Sequence, residues 1–146
     1  MLPDLYPPTQ RLLDLHDTHG ALLAEFDTVP AARLLYVRWH GHLTAGTVIQ
    51  GTQAAMQLRH ADSAPLLLLN DKSLTSGDWS DALPWLNYEW LPGAVAAGLK
   101  AVAYVRSPDP TSQTGTQEFI NAVRLQLPLG IFHAAAPAFK WLNRRG

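Results

Sequence analysis

Apolar and polar positions change period several times along this 146-residue chain. Residues 21–27 and 33–39 are runs containing β-branched and aromatic side chains, joined by Thr28-Val29-Pro30-Ala31-Ala32. Two such runs with a short link predict an antiparallel hairpin. An earlier strand over 11–16 also fits, with 17–20 as its turn. From Leu43 to Ala61 the period becomes 3.6. Ala45, Val48, Ile49, Thr52, Ala55 and Met56 share one face, and the Thr44 hydroxyl can accept a free first-turn N–H. Gly46 and Gly51 weaken this helix, by about 1 kcal/mol each relative to alanine if exposed.

Leu66-Leu67-Leu68-Leu69 shows no alternation, which predicts a central strand buried on both faces. Residues 70–77 read as a polar loop. Trp79, Leu83, Leu86 and Trp90 then recur at helical spacing, with Pro84 fitting only in a first turn. The regular helix is therefore expected to start near Ala82 or Leu83. Pro92 is expected to break or kink it, and Gly98 to cap its end. Residues 101–105 predict a second central strand. Residues 111–127 predict a helix with Phe119, Ile120, Val123 and Leu127 on one stripe, and 129–133 a last short strand. A final helix places Pro137 at its first position and turns Ala138, Trp141 and Leu142 inward. The order predicts an α/β domain: a mixed sheet of about five strands with an N-terminal hairpin and about four helices. Residues 1–10 read as an extended Pro-rich arm before a single domain over 11–146.

Composition narrows the classes. Charged residues make up 16% of the chain and hydrophobic ones 47%, which excludes intrinsic disorder. The absence of cysteine excludes a disulfide scaffold and a Cys-based zinc site. A formal net charge of −1, with no basic cluster larger than Arg144-Arg145, argues against nucleic-acid binding. No segment reaches the ~18 apolar residues of a membrane span. The first residues lack a basic stretch followed by an apolar core, so no secretory signal is expected and cytoplasmic residence is the expectation. Charge is uneven along the chain. Asp62, Asp71, Asp78, Asp81 and Glu89 face only Lys72 within 62–89, whereas 100–146 is rich in Lys and Arg. That opposition could support a homodimer, through the final helix or an exposed sheet edge.

Four segments carry a family resemblance. Leu34-Leu35-Tyr36-Val37-Arg38-Trp39-His40-Gly41 resembles the second strand of small SpoIIAA-like (STAS-type) bacterial domains, where an aromatic-x-Gly closes the strand. Leu68-Leu69-Asn70-Asp71-Lys72 resembles their third strand with its Asp-containing turn. Residues 85–92 followed by 97–103 resemble their second helix and fourth strand, and 132–142 their closing strand and helix. The resemblance covers about residues 12–142. It implies a STAS-like fold, in a family whose small stand-alone members mostly lack an assigned activity. Regulatory members of the broader fold carry a phosphorylatable serine in an Asp-Ser-Ser-Gly-like turn. This chain reads Asn70-Asp71-Lys72-Ser73-Leu74-Thr75-Ser76-Gly77 there: Ser73, Thr75 and Ser76 are candidate phosphosites, but the motif itself is absent.

The expected working surface is the 70–78 loop, Asn70, Asp71, Lys72, Ser73, Thr75 and Ser76 above all, with Trp79 and Trp85 beside it. Such a loop would follow a buried strand and precede a helix N-terminus, where α/β sheets favour ligands. The plainer alternative is that its Asp, Ser and Thr side chains only cap the next helix. Trp79, Trp85 and Trp90 could form an aromatic pocket or interface, or simply core; Trp39 and Trp90 are expected in the core. His40 and His42 could aim the same way, with His60, Asp62 or His133 as a third metal ligand, but nothing in the sequence brings these together, and no metal or other cofactor is expected. No nucleophile elbow, phosphate loop or dinucleotide fingerprint is present.

The leading expectation is therefore a non-enzymatic domain acting through protein–protein contact or a regulatory ligand. The alternative is a carrier of a small apolar, lipid-like molecule, related in fold to CRAL-TRIO carriers. Its cavity would lie between helices and sheet, walled by the Trp-rich helix and by Ala94, Ala96 and Ala97. The third is a hydrolase-type enzyme using Asp71, Lys72 and histidines.

Overall fold

A computed structural model describes residues 9–58 and 64–145. Six strands form one sheet in chain order: β1 (Gln10–His16), β2 (Leu22–Val29), β3 (Leu34–His42), β4 (Leu67–Ser76), β5 (Ala101–Val105) and β6 (Leu129–Phe132). The β1–β2 and β2–β3 pairs are antiparallel, and β3 through β6 run parallel. The mixed α/β class is as expected, with one strand more than five because residues 10–16 do pair. Of the expected arm, residues 1–8 lie outside the described residues and Gln10 already belongs to β1.

Helix α1 (Ala45–Gln57) starts where expected. Thr44 is the N-cap, and the Thr44 and Thr47 side chains exchange hydrogen bonds with each other's backbone N–H. Its expected end, with His60, lies outside the described residues. The second helix is irregular: a 3₁₀ turn (Ser80–Ala82), α2 (Leu83–Trp85), a π turn (Leu86–Trp90) and α3 (Leu91–Ala96). Pro92 neither ends nor breaks it. The π turn widens the hydrogen-bond register just before Pro92, where the missing proline N–H would otherwise leave a carbonyl unpaired. Helix α4 (Gln113–Arg124) buries Phe119, Ile120 and Val123 as predicted. Helix α5 (Ala135–Asn143) begins earlier than predicted, so Pro137 is its third residue. It buries Phe139 with Ala138 and Leu142, and leaves Trp141 half-buried.

One face of the sheet packs against α1, α2, α3 and α4, and the other against α5. Alternation along β3 serves both. Leu35, Val37 and Trp39 enter the larger core; Leu34 and Tyr36 enter the core under α5. Beyond α5's reach this second face carries ions. Arg11 pairs with Asp14, with Asp27 and with Glu25 at 2.9 Å, Arg38 bridges Glu25 and Asp27, and His40 Nε2 sits 2.6 Å from Glu25. Burial opposes charge on the Glu25 carboxyl, but its hydrogen bond to His40 and the nearby Arg38 and Arg11 outweigh this and hold it below the usual carboxylate range.

Two glycines are required by their neighbours. Gly77 has φ +98° and closes the turn after β4, and a Cβ there would collide with the Leu43 carbonyl. Gly51 lets α1 lie on the Trp39 ring, which a Cβ would overlap. Gly51→Ala gains about 1 kcal/mol of helix propensity, but forces the bulky, buried Trp39 ring to move. A net loss of about 1–2 kcal/mol is expected, read as a lower urea midpoint. A raised midpoint would show that the helix slides freely over Trp39.

Candidate functional site

The expected loop is a strand. β4 runs to Ser76, so Asn70 through Ser76 lie in the sheet beside β3, which extends equally far to His42. A register irregularity between Arg38 and His40 absorbs the extra residue. Asn70, Asp71, Thr75 and Ser76 find hydrogen-bond partners within the sheet. Asn70 Oδ1 accepts from Trp39 Nε1 at 2.6 Å. Asp71 accepts from Tyr36 Oη at 2.9 Å and from the Ser73 backbone N–H. Thr75 is buried and donates to the Lys72 carbonyl at 2.7 Å. Ser76 Oγ is 3.1 Å from His42 Nδ1. None of these hydroxyls caps the following 3₁₀ turn, whose cap position is Trp79; Asp78 instead accepts from Ser80 N–H. The loop reading is corrected, and of the capping alternative only Asp78 meets a first-turn N–H.

Strand alternation divides the predicted residues between two faces. Asn70 and Lys72 point under α1 and α3. Asp71 turns to the α5 face, and Ser73 lies in an open groove of about 420 Å3 with Arg106 and His133 at the ends of β5 and β6. Trp79 is buried near Lys72, while Trp85 is half-buried against the larger core. His40 and His42 do not converge, because one meets Glu25 on β2 and the other Ser76 on β4. Among the described residues no group of three metal-ligating side chains forms. Asp62 and Ser63 lie outside the described residues.

The Asn70–Lys72 side holds a pocket of about 70 Å3. A water needs roughly 10–15 Å3 by this measure, so the space suits a small molecule. Leu35, Val37 and Trp39 of β3 and Leu68, Asn70 and Lys72 of β4 form its floor. Val48, Thr52, Ala55 and Met56 of α1 form one wall, and Leu86, Trp90, Ala94 and Ala97 form the other. Ala94 and Ala97 are where the sequence places them, but Ala96 is exposed and turned away. The antiparallel run of α1 over the parallel strands fixes the pocket's direction. Pro65, Met56, Ala97 and Leu99, half-buried or exposed, lie at the strands' N-terminal end and form the mouth; Lys72 is at the inner end.

Lys72 is 3% exposed. Its Nζ lies 3.5 Å from the centre of the Trp79 ring and 5.6 Å from those of Trp39 and Tyr104. Among the described residues no carboxylate pairs with it. Burial alone pushes its amine well below the ordinary lysine value. The three π faces favour the ammonium, whereas removal from water disfavours it; burial is the cause that lowers its proton affinity. Trp79, Trp90 and Tyr104 are themselves fixed around Phe119, with ring centres 5.7–6.1 Å from it. Trp39, Tyr104, Phe119 and Thr52 are the site residues that the sequence reading leaves out. Their one local signal is the period-two series Leu68, Asn70, Lys72, which aligns a cation with a buried face.

No family model matches the chain, and no curated protein or solved structure matches it. Among the described residues no helix is long and apolar enough to cross a membrane.

Proposed function

We propose that this chain is a non-enzymatic SpoIIAA-like domain whose pocket binds a small apolar molecule. The observation that carries this reading is the solvent-open apolar pocket between α1, α3 and the sheet, with two polar groups, Asn70 and Lys72, at its deep side. Apolar walls with a few convergent polar groups are the usual make-up of a small-molecule site. The bound molecule has an apolar body and one oxygen, because the groups that meet it donate hydrogen bonds. Of the sequence expectations, the apolar carrier fits this geometry better than a loop that docks a protein.

Titration with straight-chain primary alcohols tests the reading. Affinity is expected to rise with chain length by up to about 0.8 kcal/mol per buried methylene, until the chain outgrows the pocket. Ala94→Leu, which puts a side chain into the cavity, is expected to abolish saturable binding. Saturable binding that survives Ala94→Leu unchanged, or no binding by any alcohol, refutes the reading.

A further inference from the structure

We propose that Lys72 captures a small apolar aldehyde or ketone as an imine inside this pocket. The inference rests on the reading of the pocket as a ligand site and supplies the chemistry of its inner end. Lys72 Nζ sits where the pocket closes, enclosed by the rings of Trp79, Trp39 and Tyr104, with no carboxylate among the described residues to hold it as an ammonium. Desolvation in an apolar pocket is how a lysine becomes a nucleophile near neutral pH. Tyr104 is a titratable side chain against it, and burial holds that phenol neutral. Asn70 supplies the second element. Its Oδ1 is occupied by Trp39 Nε1, which can only donate, so the amide's N–H donors remain for a ligand oxygen. They lie on the same strand face as Lys72 and can hold and polarise a carbonyl.

The step balances with the two reactants alone. The Nζ lone pair forms a C–N bond as the carbonyl π pair moves to oxygen. A proton passes from nitrogen to that oxygen, giving the carbinolamine. The hydroxyl and the remaining nitrogen proton then leave as one water, and the C=N bond forms. No oxidant or reductant is needed. At the inner end, where Lys72 is 3% exposed, little bulk water reaches the nitrogen to drive the reverse step.

The chain has three lysines, Lys72, Lys100 and Lys140, and the latter two are exposed. The native protein is incubated near neutral pH with butanal and cyanoborohydride, which reduces C=N to a stable secondary amine. Peptide mapping by mass spectrometry then separates the three lysines and the α-amino group. Only Lys72 of the three lines the pocket that would gather butanal, so labelling of Lys72 is expected to exceed that of Lys100 or Lys140 by at least about tenfold. Excess butan-1-ol is expected to slow Lys72 labelling only. Labelling spread evenly over the three lysines, or absent from Lys72, overturns the proposal. Saturable butan-1-ol binding without a Lys72 adduct overturns the imine while leaving the pocket reading in place.

Discussion

Lys72→Met is expected to raise folding stability near neutral pH by about 1–4 kcal/mol, although it removes three cation–π contacts. The sign follows from where the proton resides. In the unfolded chain Lys72 titrates near 10.5, and in the folded protein well below that. Between the two values the unfolded chain holds one more proton than the folded protein. Wild-type stability therefore rises with pH across this window, by up to about 1.4 kcal/mol per unit. The cost of burying Lys72 is fully present below the folded value and is gone above the unfolded one. Methionine has a similar reach and no charge, so its advantage is large at neutral pH and shrinks toward pH 10. Urea unfolding of both proteins at the two pH values measures this, and the difference between them cancels other titrations. A destabilised variant, or an advantage equal at both pH values, would mean that the rings hold an ammonium.

Phe119→Ala has the largest expected loss, about 3–5 kcal/mol. Phe119 is 5% exposed and touches Trp79, Trp90 and Tyr104. Removing its ring leaves three large aromatics facing a void that cannot collapse without moving Lys72's surroundings. A fall in Tm of about 10 °C or more should accompany it. Phe119 also lines the pocket, so the surviving folded protein should accept bulkier alcohols than wild type. A loss below about 1 kcal/mol would show that the aromatic cluster repacks and that the pocket's inner end is not rigid.

Much of this architecture was legible in local pattern. β5 needs only five apolar residues between turns, and the α4 stripe of Phe119, Ile120 and Val123 follows one helical period. The extension of β4 was not legible. Asn70, Asp71 and Lys72 look like loop residues because polar side chains in a central strand are costly unless paired. Their partners are Trp39, Tyr36 and the aromatic rings, contributed by other strands and by the turn after β4. Lys72 and Trp79 share a short window, but the other pairs join residues more than about thirty positions apart. The continuity of the second helix through Pro92 was hidden in the same way, since a π turn leaves no composition signal. The pocket was half visible. Small residues on α3 mark one wall, while Lys72 reads as a surface residue and is buried at the inner end.

Among the described residues both edges of the sheet are uncovered by pairing, and the two edges resist recruitment differently. β6 offers only four residues. β1 is longer, but it is broken twice by register shifts, and it carries Arg11 and Asp14 toward solvent with Leu12 at one of the shifts. An incoming strand would meet misaligned carbonyls and fixed charges instead of a flat ladder. The chain is thus protected against fibre-like growth by backbone geometry as much as by charge. Removing both shifts, at Leu12 on β1 and at Leu23 on β2, would give this edge a flat ladder open to an incoming strand.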